Sequence, residues 1–235
     1  MQSLRKFGFI LTVTLPVVCG TALAAAPLPA FTAHYRLLRG DSQIGTATMT
    51  LAKTGDDTWT YTTQSRGTAG LASLLGASVD ERSTFSWVGD LPQGIGYDYL
   101  MKTAIKQKHR DVRFDWAHHI IVVDDNGTFR FPTQPGALER HTVPLALAAG
   151  LAAGKTRFTL PVAGRDHIEM QHYVARDKQS VNVPAGTFDA TPVMRTDGGD
   201  AIEALFAPSK LPVPVKIEQR GKDEFSLELE SWSAH

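Results

Sequence analysis

Alternation of apolar and polar residues with a period of two runs through almost the whole chain, and it constrains the fold more than any motif does. Phe31, Ala33, Tyr35 and Leu37 fall on one side of a run whose other side holds Thr32, His34 and Arg36. Successive side chains of a strand point to opposite faces, so this is the pattern of a sheet with one face in a core. The pattern returns at Ile44 to Leu51, where Thr46, Thr48 and Thr50 add strand-forming residues, and again at Trp59, Tyr61 and Thr63 after the turn Gly55-Asp56-Asp57. Val79 to Trp87, Ile95 to Met101, Val112 to Trp116 and Ile120 to Val123 continue it, and Asp125-Asn126-Gly127 is a hairpin turn before Phe129 and Phe131.

The C-terminal half repeats the rhythm. Phe158 to Val162, a run from Asp166 to His172 and on to Val174, Val181 to Val183, and Phe188 to Arg195 all read as strands. Ile202 to Phe206 follows the turn Asp197-Gly198-Gly199-Asp200, and Val213 to Glu218 and Phe225 to Leu229 come last. Short strands at roughly 8–12-residue spacing predict an antiparallel meander that is strongly curved or barrel-like. The expected fold is therefore mainly β: one strongly curved antiparallel sheet with one or two short helices.

Two segments interrupt the strands. Thr142 to Ala153 has helix-forming composition, with Thr142 as the expected cap and Gly154 placed to end it, which predicts a helix plugging or covering the sheet. Gly67 to Ala77 is small and apolar, and reads either as a short helix on the core or as a flap at the mouth of a cavity.

Ahead of the strands stands an address. Arg5 and Lys6 precede an apolar stretch from Phe7 to Val18, and Ala22-Leu23-Ala24 has the small-x-small form that a signal peptidase reads. Cleavage after Ala24 is expected, leaving residues 25–235 as one β-rich periplasmic domain. Gly8, Pro16 and Gly20 argue against a retained anchor, and Pro16 and Val18 around Cys19 do not match a lipoprotein signal. Cys19 is the one cysteine, so the processed chain has no disulfide, cysteine nucleophile or thiolate metal site. The chain carries 24 basic and 24 acidic residues; without Arg5 and Lys6 the balance is 22 to 24, close to −2. No Lys/Arg cluster argues for nucleic acid.

Several landmarks together resemble a known family. They are Phe31-x-Ala33-x-Tyr35 with Ile44-Gly45, Ser83-x-Phe85, Gly94 to Leu100, Phe114-x-Trp116, Val183-Pro184-Ala185-Gly186-Thr187-Phe188-Asp189-Ala190, Phe206-Ala207-Pro208 and Leu211-Pro212-Val213-Pro214. In order and spacing they are similar to the exported bacterial family catalogued as domain of unknown function 3108. The resemblance implies an exported β-rich domain and brings no activity, cofactor or catalytic residues with it. On physical grounds, Pro208, Pro212 and Pro214 would bound a loop and an edge strand, and Gly45 would mark a bulge or a close approach.

No catalytic signature stands out. G-x-S-x-G and H-E-x-x-H are both absent, the paired carboxylates fall in turns or point apart, and the histidines match no metal-ligand spacing. No cofactor motif is present and no metal ligands can be named. The aromatic residues carry the remaining signal: Trp59, Tyr61, Trp87, Tyr97, Tyr99 and Trp116 recur on successive strands at same-face spacing. They form either a filled core or the wall of a cavity for an apolar or amphipathic ligand. Trp59 and Tyr97 are expected nearer a rim than the barrel centre. Lys102, Lys106, Lys108, His109 and Arg110 read as a charged edge, or as a rim for anionic head groups or an acidic partner. The functional expectation is a non-enzymatic periplasmic binder of an apolar or amphipathic small molecule or of an envelope protein, without stable membrane insertion after cleavage. The alternatives are an envelope hydrolase acting on glycan or lipid, and a ligand-free scaffold.

Overall fold

The computed structural model describes residues 26–198, 201–220 and 224–235. The expected signal sequence and cleavage site, Cys19, and Gly199 and Asp200 of the expected turn lie outside the described residues.

Eight strands form a continuous antiparallel meander: β1 (Phe31–Arg39), β2 (Ser42–Lys53), β3 (Trp59–Gly67), β4 (Ser78–Val88), β5 (Leu91–Lys102), β6 (Gln107–Asp115), β7 (Ile120–Asp124) and β8 (Thr128–Pro132). A short helix, α1 (Gly70–Leu74), joins β3 to β4. After β8 come a 3-10 turn, Arg140–Thr142, and the helix α2 (Val143–Ala152). The chain returns through β9 (Arg157–Ala163), β10 (Ile168–Ala175), β11 (Gln179–Val183), β12 (Gly186–Arg195), β13 (Ala201–Phe206), β14 (Pro214–Arg220) and β15 (Phe225–Ala234). β15 pairs with β1, Phe31 opposite Ala234, so both halves belong to one antiparallel sheet. Its order is β8-β7-β6-β5-β4-β3-β2-β1-β15-β14-β13-β12-β10-β9, with β11 paired to β12 alone. The expected mainly-β, strongly curved antiparallel sheet is what forms.

The sheet does not close by a strand ladder, since β8 and β9 remain its two ends. A connecting segment bridges the gap instead. The Gly94 amide on β5 donates to the Ala137 carbonyl (3.0 Å), Leu138 donates to Pro161 (3.0 Å), and Ala163 donates back to Leu138 (2.8 Å). Arg110 on β6 adds hydrogen bonds to the Gly164 and Ala163 carbonyls at 2.7 and 3.3 Å. Gly94 is free to do this because the β5–β6 ladder ends at Gly96, opposite Arg113. It also has to be glycine, because a Cβ there would sit 2.5 Å from the Phe114 ring.

α2 occupies the inside of the curve. Val143, Leu145, Ala146, Leu147, Ala148, Ala149 and Gly150 are all buried, so the helix is apolar on every side and needs enclosure on every side. Around it pack Phe31, Tyr35, Leu51, Phe85, Leu138, Phe206 and Leu229 from the inner faces of both halves. A second cluster of Tyr97, Val112, Phe114, Ile121, Val123 and Phe131 meets Ala163 across the bridged gap.

Four local expectations change. Thr142 stands at the N-cap of α2 but makes no side-chain capping bond; its hydroxyl donates to the Glu139 carbonyl, and the Glu139 carboxylate caps the preceding 3-10 turn. Pro214 does not mark an edge, because β14 lies between β13 and β15. Proline is tolerated there as the first residue of the strand, opposite Phe206 where the register shifts. The basic run Lys102 to Arg110 spans the β5–β6 turn and an interior strand rather than a sheet edge. β10 starts at Ile168, which leaves Asp166 and His167 in the turn before it. Gly45, by contrast, is a close approach: an added Cβ would meet the Arg66 carbonyl oxygen at 2.5 Å.

Candidate functional site

Three neighbouring strands present a grid of polar and aromatic side chains to the inside. Alternation sends Tyr61 and Thr63 of β3, Glu81 and Ser83 of β4, and Tyr97 and Tyr99 of β5 to one face. Antiparallel register then aligns them in two rows, Tyr61–Ser83–Tyr97 and Thr63–Glu81–Tyr99. The 3-10 turn lies against this grid. His141 stacks on Tyr61 with ring centroids 4.4 Å apart, and its two nitrogens meet the Ser83 hydroxyl at 2.7 Å and the Thr63 hydroxyl at 2.8 Å. Arg140 lies over Tyr99 at 4.9 Å, donates to the Tyr97 hydroxyl (3.1 Å) and reaches Glu81 at 3.4 Å. Tyr97 in turn donates to Glu81 at 2.5 Å.

Glu139 anchors the turn from behind. It is 2% exposed, and its carboxylate accepts from the backbone amides of His141 (2.6 Å) and Thr142 (3.1 Å). Burial raises its pKa against the opposing pull of His141, Ser83 and those amides. Ser83 and Thr63 thus occupy both ring nitrogens of His141, a satisfied chain of three buried groups. Burial first and Glu81 second raise the Tyr97 pKa, which keeps it protonated as the donor to Glu81.

In front of the grid opens a cavity of about 500 Å³ with mainly apolar walls. Leu37, Ile44, Met49, Tyr61, Val79, Pro144, Ile202 and Leu227 line it, with Thr63, Glu81, Arg140 and His141 as its polar part and Arg39 at one side. A second cavity, of about 310 Å³, shares Arg140, Pro144 and Ile202 with the first and continues past Val143, Leu147, Tyr173 and Ile217. The start of α2 thus divides one apolar space into two lobes, with the Arg140 guanidinium at their junction. Two larger depressions of about 640 Å³ are polar-walled. In the one beside Arg36, Lys216 and Glu228, those charges neutralise each other in ion pairs, so it offers little to a ligand.

Of the aromatic residues expected at a site, the structure brings three together. Tyr61 lines the cavity, while Tyr97 and Tyr99 hold Arg140. Trp59, Trp87 and Trp116 line neither lobe. Trp59 is 9% exposed in the core, Trp87 packs edge-on against Phe85, and Trp116 stacks on Phe114 and donates to the Gly94 carbonyl. Neither Trp59 nor Tyr97 is a rim residue; Tyr97 is only 2% exposed, because Arg140 and the 3-10 turn cover that stretch of sheet. The histidines scatter to separate partners, His34 to Thr48, His109 to Asp98, His118 to Asp115 and His172 to Thr159. Among the described residues no group of three or more His, Cys, Asp and Glu converges. Neither alternation nor any motif points to Glu139, Arg140 and His141. Their one signal is a polar run, Glu139 to Thr142, just before a helix of purely apolar side chains.

Fold and cavity define a β-sheet protein curled around a buried helix, with an apolar space and a polar floor at one end. A family model described as "Protein of unknown function (DUF3108)" matches residues 30–229, and the chain belongs to that family. No curated protein matches it. Among solved structures, the chain is similar to a β-barrel-like protein of domain of unknown function DUF1849 from Brucella abortus. The identity is 15% and the TM-score 0.56, over 90% of this chain and 100% of the other. That likeness concerns the fold.

Proposed function

We propose that this protein is an exported periplasmic carrier whose cavity takes an amphipathic small molecule with an acidic head. The observation that carries the reading is the pair of joined apolar lobes meeting at Arg140. Their volumes fall within the ~300–1,000 Å³ range of ligand sites. Of the charged residues that line the lobes, Arg195 is paired with Asp197 and Glu169 and Arg140 with Glu81, and Arg39 adds a further cation that favours a carboxylate or phosphate head over an ammonium. The grid serves as a rigid support. With Glu81 and Tyr97 holding one side of the guanidinium, its orientation is set before a ligand arrives. The N-terminal segment of the chain supports export.

The test is displacement of a fluorescent fatty acid, with Ile202→Trp and Arg140→Ala as variants. Ile202 lines both lobes, and a tryptophan there fills their junction, so probe binding should fall at least tenfold with the thermal midpoint kept. Arg140→Ala should weaken the acid about tenfold and leave the corresponding alcohol nearly unchanged, in keeping with the ~1.5–3 kcal/mol of a charged hydrogen bond. A folded protein that ignores both probes would sink the carrier reading.

One observation favours a second reading. Thr63 faces the cavity and its hydroxyl sits 2.8 Å from His141 Nε2, the geometry of a nucleophile beside its base. On that reading the protein is an envelope hydrolase, and turnover of lipid or glycan esters should vanish in Thr63→Val.

A further inference from the structure

At the mouth of the first lobe two apolar tips project into solvent. Leu74 at the end of α1 is 80% exposed and Ile105 in the β5–β6 turn is 85% exposed, the two largest values among the exposed large hydrophobic residues described. They belong to one surface. The Ala104 amide donates to the Leu75 carbonyl at 2.8 Å, tying the turn to the helix. α1 is fixed in turn to the cavity wall. Thr68 and Ala69 donate to the carbonyl of Ile44, the Gly67 amide donates to Ala77, and Ile44, Ser65 and Val79 line the lobe. Gly67 allows this seating, since a Cβ there would come within 2.7 Å of the Ala72 backbone.

The two segments that carry the tips hold charge of one sign, and the acids Asp124 and Asp125 share a depression with Lys106 and Lys108. Residues 67–79 contain no ionisable side chain, and residues 102–110 contain Lys102, Lys106, Lys108, His109 and Arg110 with no acid. The three lysines are exposed, and no ion pair is formed by any of them among the described residues. Exposed aliphatic tips flanked by unpaired lysines match a bilayer surface, where the tips enter the interface and the ammonium groups meet anionic head groups. An acidic protein would use the lysines but gives no reason for two isolated aliphatic side chains held in water.

We propose that α1 and the β5–β6 turn form a docking rim for an anionic lipid bilayer, which places the cavity mouth against the membrane from which its ligand is taken or to which it is delivered. The purpose of the rim rests on the carrier reading, whereas its affinity for a bilayer does not. The experiment is co-sedimentation with vesicles of equal parts phosphatidylglycerol and phosphatidylcholine, and with phosphatidylcholine alone. The protein is expressed as the full chain, and its N-terminus is checked by mass spectrometry. The wild type should bind the anionic vesicles and lose binding as salt is raised. Leu74→Ser with Ile105→Ser should lower the partition about tenfold or more. Lys106→Glu should lower it at least about fivefold and only on anionic vesicles. Both variants alter only surface positions and should keep the wild-type midpoint and the solution affinity for the fluorescent fatty acid. Equal partition of wild type and the Ser/Ser variant would overturn the proposal. So would capture by polyglutamate with no vesicle binding, which would assign the rim to an acidic protein. Loss of fatty-acid binding with vesicle binding retained would instead strike the cavity reading and leave the rim standing.

Discussion

Replacing Glu139 by glutamine and by alanine separates the two things its carboxylate does. The group is fully enclosed and accepts two backbone hydrogen bonds at 2.6 and 3.1 Å. Alanine leaves the His141 amide without an acceptor, while the Thr142 amide keeps the Glu139 carbonyl at 3.2 Å. At ~1–3 kcal/mol for a buried group left unsatisfied, Glu139→Ala should cost about 1–3 kcal/mol, offset in part by relief of a buried charge. Glutamine keeps an oxygen for the amides and should cost much less. The second effect is titration. Burial raises the carboxyl's pKa above its ordinary value of 4.5, so the folded protein holds this proton more tightly than the unfolded chain does. Stability from this group is then greatest at low pH. It falls by about 1.4 kcal/mol per pH unit as pH rises from 4.5 to the raised folded value, and is level beyond it. Other carboxylates move the opposite way, among them Asp197, whose pKa is lowered by Arg195. The informative quantity is therefore the difference between wild type and Glu139→Gln, measured by urea unfolding at about pH 4 and about pH 8. The wild type should lose ground to the glutamine variant across that range. A constant difference would refute the claim that this carboxyl is held in an unfavourable dry site, and an alanine variant as stable as the glutamine one would refute its role as the acceptor for the turn.

Gly94→Ala should destabilise by about 1–3 kcal/mol in thermal or urea unfolding, because the new methyl meets the Phe114 ring that stacks on Trp116. Trp59→Ala should cost about 3–5 kcal/mol as a core truncation while leaving fatty-acid affinity within about twofold, since Trp59 lines neither lobe. Protein recovered from the periplasm should begin at Ala25 by intact mass, without a lipid on Cys19, and its thermal midpoint should not move with reductant.

Local chemistry alone determined the strands of this protein. Phe31, Ala33 and Tyr35 of β1 are buried where alternation puts them, and Leu37 on the same face is half-buried and lines the first lobe, because the two-residue period is a property of the extended backbone. Asn126 and Gly127 take the positive φ values of 51° and 135° that their hairpin demands, and residue type is enough to announce that. The all-apolar run of α2 likewise declares a helix enclosed on every side. What the tertiary structure decided are the contacts between distant segments. Nothing in the alternation says that β15 returns to β1 or that Ala137 and Leu138 bridge an open seam, because any strand offers the same backbone donors and acceptors, and curvature selects among them. The candidate site belongs to this second kind. Tyr61, Tyr97 and Tyr99 could be placed on one face from their spacing, but Trp59, Trp87 and Trp116 share that spacing and end packed against the core. Which aromatic rings meet a cavity was settled by where Glu139, Arg140 and His141 come to rest, and a polar triplet in a loop has no period to reveal the surface it will cover.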